Sequence, residues 1–140
     1  MIRHEQYRAI TDVMPILCVD LILTNENGEY LLVKRNNPPL QGEWWVPGGR
    51  VFKDERLAEA AARKLQEELS LTVALEGPVG YCEYFFKESP FGSPTGYHAV
   101  ALIFTGTIWN TLVKLDGQSS DWGFFPSLPI GFNLKGLVEQ

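Results

Sequence analysis

Between Gly48 and Leu71 the chain reads GGRVFKDERLAEAAARKLQEELSL, a glycine pair followed by a charged segment that ends on adjacent glutamates, Glu67 and Glu68. Neighbouring carboxylates beside a tight turn are hard oxygen donors, and magnesium binds through one or two carboxylates while keeping several waters. Those waters can give way to phosphate oxygens, so the spacing points to a divalent-metal site for a phosphorylated substrate. The glycines let the backbone approach such a ligand closely. A solvated ladder of Glu59, Arg63 and Glu67 at i,i+4 is the plainer alternative, each pair contributing about 0.2–0.5 kcal/mol. The preceding run Trp44-Trp45-Val46-Pro47-Gly48-Gly49-Arg50 favours the site.

These residues need a helix to carry them. From Asp54, a potential cap, to Leu69 the segment contains Leu, Ala, Glu, Lys, Gln and Arg without proline or glycine. The helical period predicts an apolar stripe of Leu57, Ala58, Ala61, Leu65 and Leu69, with Glu68 at its edge and Arg63 and Glu67 pointing elsewhere. Upstream, Pro15 to Thr24 and Glu29 to Lys34 are apolar runs joined by Asn25-Glu26-Asn27-Gly28, which predicts a hairpin. Glu43 to Val46 reads as a short strand into the glycine turn. Thr72 to Phe86 and Tyr97 to Trp109 read as strands on either side of a proline and glycine loop. Strands before and after one strong helix imply a single α/β domain over residues 1–140 with a mixed sheet.

Bulk properties set limits. A length of 140 residues with 45% hydrophobic and 21% charged residues suits one domain with a core. The net charge of −5 argues against broad nucleic-acid binding, which needs a basic face. No run reaches the roughly 20 apolar residues that cross a bilayer, so no membrane association and a cytoplasmic location are expected. Cys18 and Cys82 lack C-x-x-C spacing and lie in apolar stretches, as buried free thiols would. His98 opens an apolar strand and His4 lies in an N-terminal stretch expected to be flexible; neither carries chemistry on its own. Trp44 and Trp45 point to opposite faces of a strand, so at most one meets a ligand, and core roles are expected for both.

The segment closely resembles the Nudix box, G-x5-E-x7-R-E-U-x-E-E-x-G-U, with U a bulky aliphatic residue. Gly49, Glu55, Arg63, Leu65, Glu67, Glu68 and Leu71 fall in register, whereas Lys64 replaces a glutamate and Ser70 a glycine. The resemblance implies the Nudix fold, a mixed β-sheet sandwiched between α-helices, and it spans about Tyr7 to Phe125. Asp121 to Pro126 is similar to the late family strand that precedes a short terminal helix. The stretches around Asp20, Lys34-Arg35-Asn36-Asn37 and Gln41 to Val51 resemble the GDP-mannose mannosyl hydrolases, which direct water to the anomeric carbon and release the nucleoside diphosphate. By that resemblance the Gly48 carbonyl, Glu68 and Gln118 are metal ligands, and Glu67 adds the second carboxylate of the wider family. The metal is Mg2+, with Mn2+ as an alternative. Arg35 and Arg50 hold the diphosphate, and Asp20 contacts the sugar or base end. A homodimer acting on a small nucleotide derivative is implied.

The pattern also departs from that subgroup. Its general base is a histidine after the metal-binding glutamine, but here Ser119 follows Gln118, and a hydroxyl is far too weak a base at neutral pH. A second subgroup histidine is replaced by Tyr84, and the chain ends early relative to the subgroup, implying less cover over the substrate. Lys64, one turn before Glu68, either pairs with that carboxylate and weakens a metal site or points into solvent. Three functions compete: nucleotide-sugar hydrolysis at carbon, pyrophosphohydrolysis at phosphorus supported by Glu67, and non-catalytic sensing of a nucleotide or nucleotide sugar.

Overall fold

The computed structural model describes residues 3–37, 39–89, 92, 94–109, 113 and 119–136. In chain order the elements are α1 (His4–Val13), β1 (Ile16–Thr24), β2 (Tyr30–Arg35), β3 (Trp44–Trp45), β4 (Gly48–Arg50), α2 (Leu57–Leu69), β5 (Glu76–Phe86), β6 (Tyr97–Thr107), β7 (Ser119–Phe125) and β8 (Lys135–Gly136). Among the described residues the strands form one eight-stranded mixed sheet. Strand β1 runs parallel to β6, from Ile16↔Ala99 to Thr24↔Thr107, and the other pairings are antiparallel.

Strand alternation divides the core. Val19, Leu21 and Leu23, fully buried, face Ala60, Ala61, Leu65 and Leu69 of α2. Cys18 and Ile22 face the other way, into a cluster with Cys82, Ala99, Ala101 and Ile103 that Tyr7 and Ile10 of α1 help to cover, together with Leu128, Phe132 and Leu134. The expected sandwich is thus present, with a smaller helix sharing the second face with irregular chain.

The hairpin forms as expected. Asn25 Oδ1 accepts the Asn27 and Glu29 N–H groups, and Gly28 takes a positive φ of 75° that an L side chain resists. Beyond it the strands fork. Strand β1 meets β2 at Thr24↔Tyr30, but nearer its start it meets β4 at Asp20↔Gly48, Val19↔Gly49 and Cys18↔Arg50. Strand β3 lies along β2 at Val33↔Trp45, so the segment from Trp44 to Arg50 fills the opening between the diverging strands.

Several expectations need correction. Asp54 does not cap α2: it adopts a left-handed turn (φ 67°), and Arg56 is the cap, its N–H donating to Glu59 Oε1 at 2.9 Å. Glu55 accepts the Phe52 N–H and binds Arg63, so the chain is held out of the helix until Arg56. Ala60 rather than Ala58 belongs to the buried face, which rotates the helix and brings Glu68 well inside the face instead of at its edge. His4 begins α1 rather than lying in a flexible stretch. Strand β5 starts at Glu76, not Thr72. After β7 the described residues hold turns and the short β8 in place of a terminal helix.

Candidate active site

Glu68 is the natural starting point, because its side chain is only 9% exposed and yet borders a cleft. Helix α2 carries it to the fork, where its Oε2 accepts the Gly48 N–H at 3.2 Å. A side chain at position 48 would collide with the Val19 carbonyl oxygen and the Asp20 carboxylate, so glycine is required for β4 to lie this close to β1. Lys64 resolves the choice left open by the sequence. Its ammonium lies 3.3 Å from Glu68 Oε1 and 3.6 Å from Glu67 Oε2, with the side chain only 13% exposed.

Arg63 and Glu55 build the loop beneath. The Arg63 guanidinium grips Glu55 through two bonds, Nε to Oε2 at 2.7 Å and Nη2 to Oε1 at 2.9 Å, and Nη2 also donates to the Arg50 carbonyl at 3.0 Å. Bidentate geometry of this kind is stronger than a surface pair. It lowers the Glu55 carboxyl below its ordinary range and raises the Arg63 guanidinium, chiefly through their mutual hydrogen bonds. Glu67 bonds Arg63 at 3.3 Å, is about half exposed, and does not border the cleft. The ladder alternative therefore fails at one end: Glu59 is taken up by the helix cap, while Arg63 reaches back to Glu55.

The cleft encloses about 430 Å³, and Asp20, Arg35, Gly48, Arg50, Lys64 and Glu68 all border it. Arg35 is steered by a 2.8 Å bond from Nε to the Pro39 carbonyl. Arg50 lies over two rings, 4.7 Å from the centre of Tyr7 and 4.3 Å from that of Phe52. Such stacking holds a guanidinium without consuming its in-plane donors. Burial, followed by the charge of Arg63, moves Arg50 below its ordinary value. Asp20 is paired, as a buried carboxylate must be: the Tyr84 hydroxyl donates to its Oδ2 at 2.7 Å. Desolvation pushes Asp20 up to about 6, opposed by the Tyr84 bond and the charge of Arg35.

The position of the missing base is informative. Ser119 pairs with Arg35 at the start of β7 and borders the cleft, so the substitution falls on the wall itself. Gln118 lies outside the described residues. Trp45 borders the cleft but is packed edge-on against Tyr84 and Phe132, whereas Trp44 packs on Phe125, and both are mainly core residues. His98 stacks on Phe85 away from the cleft. Cys18 and Cys82 are buried free thiols, and burial lifts them to about 12 and about 11.

Residues 14–128 match the NUDIX domain family. The chain belongs to the Nudix family. It is 36% identical over 124 residues to the low-salt glycan biosynthesis protein Agl8 of Haloferax volcanii, covering 89% of this chain and 79% of that one. It is 30% identical over 129 residues to an ADP-ribose pyrophosphatase of Methanocaldococcus jannaschii, covering 90% and 72%. Among solved structures, the MutT protein from Methanosarcina mazei Go1 superposes with a TM-score of 0.67 at 30% identity over 81% of this chain and 78% of that one. As a Nudix hydrolase this protein acts on nucleoside diphosphate derivatives, and such enzymes typically use divalent metal ions.

Within this Nudix site, sequence reasoning did not find the Asp20–Tyr84 pair, the ring platform under Arg50, or the Glu55–Arg63 clamp to the Arg50 carbonyl. The first two require knowing which strands and helices are neighbours. The clamp joins box residues of opposite charge eight positions apart, a separation at which only the turn before α2 brings them together.

Proposed function

We propose that the protein is a Mg2+-dependent hydrolase of a nucleotide sugar, GDP-mannose or a close analogue, releasing the nucleoside diphosphate and the free sugar. The observation that carries this reading is the convergence of Arg35, Arg50, Asp20 and Glu68 on one cleft at the fork of β1 and β2. Two guanidiniums suit a diphosphate, and a buried carboxylate next to a phenol suits sugar hydroxyls or a base edge. The glycan-biosynthesis relative supports a sugar-bearing substrate.

The donor chemistry fits a magnesium or manganese ion: a carboxylate at a cleft wall beside a backbone turn supplies hard oxygens and leaves room for waters. Glu68 and the Gly48 carbonyl would hold the ion at the cleft, with Gln118 and Glu67 added on the family resemblance alone. When bound, the ion would supply charge neutralisation and a template at the diphosphate. Arg35 and Arg50 hold the two phosphoryl groups and stabilise the charge that develops on the departing oxygen. Asp20, held by Tyr84, orients the sugar. Water attacks the anomeric carbon as the carbon–oxygen bond to the diphosphate breaks, and Ser119 offers little help in removing the proton. Turnover is accordingly slow, by about 100 to 10,000-fold relative to a site with a general base. The protein works as one domain and as a homodimer, the latter to be read by sedimentation.

Incubation with GDP-mannose and Mg2+ in labelled water tests the reading. Label in the free sugar supports attack at carbon. Label in phosphate would instead establish the pyrophosphohydrolase, a reading favoured by the similarity to an ADP-ribose pyrophosphatase. Tight nucleotide binding without turnover would replace both with a sensor.

A further inference from the structure

Position 64 is acidic in the Nudix box, but in this chain it is a lysine. Its placement is specific. Lys64 stands one helical turn before Glu68, with its ammonium 3.3 Å from Glu68 Oε1 and 3.6 Å from Glu67 Oε2, and its side chain is 13% exposed. The aliphatic stem crosses the glycine turn, so close to Gly49 that an added Cβ there would sit 2.5 Å from Lys64 Cε. Gly49 thus leaves the space through which the stem reaches the carboxylates. Glu68 receives the Gly48 N–H on one oxygen and the ammonium on the other, both at the wall of the cleft.

We propose that Lys64 is a built-in competitor of the divalent cation: its ammonium holds the Glu68 carboxylate in the free protein and must be displaced before a metal ion can bind there. The inference rests on Glu68 being a metal ligand. A cation so close to that oxygen repels a divalent ion at short range in a partly desolvated site, where charge interactions are stronger than in water. The same ammonium keeps Glu68 partnered until the ion arrives, which limits the cost of burying a carboxylate. An arriving diphosphate, also at this wall, offers the displaced ammonium new oxygen acceptors. Metal ion and nucleotide therefore load together rather than the ion first.

The test measures Mn2+ binding to the full chain without nucleotide, by the electron paramagnetic resonance signal of free Mn2+. Lys64→Met keeps the stem and removes the charge, and is expected to tighten binding roughly ten-fold or more; Lys64→Gln should do the same. Glu68→Gln, alone or with Lys64→Met, should abolish binding at this site. Mn2+ affinity unchanged or weakened in both folded Lys64 variants, with Glu68→Gln still lowering it, would overturn the competitor role and leave the metal site standing. Affinity insensitive to Glu68→Gln would overturn the metal-site reading and this inference with it. Circular dichroism of each variant separates loss of binding from loss of fold.

Discussion

Two clusters of charge flank the glycine strand, and they are built in opposite ways. Below it, Glu55, Arg63 and the Arg50 carbonyl close on one another: the guanidinium is spent on two carboxylate bonds and a backbone oxygen, and the Phe52 ring lies 3.7 Å from its centre. Above it, Asp20 is held by a neutral phenol, Glu68 by a backbone N–H and a lysine, and Arg50 by two rings. The first cluster answers charge with charge and shapes the loop. The second fixes positions with neutral partners or an exchangeable cation, leaving charge to meet a ligand. Ion pairing around Arg63 therefore builds scaffold, whereas at the cleft the Lys64–Glu68 pair stands beside charges held by uncharged neighbours.

The sharpest way to break the comparison is Glu68→Gln. The amide oxygen can still accept the Gly48 N–H and Lys64 keeps Glu67 as a partner, so the melting temperature should change little, while kcat on a nucleoside diphosphate derivative should fall by about 100-fold or more. An unaltered rate would remove Glu68 from the site. Arg63→Ala should do the reverse in kind: urea unfolding should show about 2 kcal/mol of lost stability, since Glu55 and the Arg50 carbonyl lose their donor together. Arg63→Lys should recover only part, because one ammonium cannot replace a two-pronged grip. Rescue to full stability by lysine would show that charge alone matters there.

Asp20 gives a pH signature. Its folded value of about 6 lies above its model-peptide value of 3.8, so the folded state binds a proton more tightly than the unfolded chain. The stability it contributes is present in full below about pH 3.8 and is lost as pH rises through 6. Asp20→Asn should remove that loss and raise stability at pH 8 by about 3 kcal/mol, while weakening substrate binding. Matching pH profiles of melting temperature in wild type and variant would contradict the assignment. The smallest effect is expected at Ser70, which ends α2 in the left-handed conformation at φ 56°, where the Nudix box has glycine. Ser70→Gly should stabilise the fold by about 1 kcal/mol without changing activity. A destabilised variant would mean that the Ser70 hydroxyl does more than occupy the cap.

Much of this could be read from the chain because it is local. The hairpin follows from Asn25 to Gly28, and the main helix from an unbroken run of good formers. The helix's rotation did not follow, because Ala58 and Ala60 fit a helical stripe about equally and only packing on β1 selects Ala60. Helix α1 was hidden because its buried residues, Tyr7 and Thr11, make too short an apolar stripe to stand out among charges. Tyr84 and Asp20 are 64 residues apart in sequence, and they meet only because β6 places β5 within reach of β1. The box residues, and through the resemblance Asp20 and Arg35, could be named from the chain, whereas the bond from Tyr84 to Asp20 that sheet order makes could not.

The fork of β1 and β2 draws walls from distant parts of the chain: Asp20, Arg35, Trp45, Glu68, Tyr84 and Ser119. No fragment short of the assembled sheet presents that pocket, so a bound nucleotide stabilises only the complete architecture. Its affinity should then register as a concentration-dependent rise in unfolding temperature, and compounds could be ranked by heating the protein with each of them before any product is assayed.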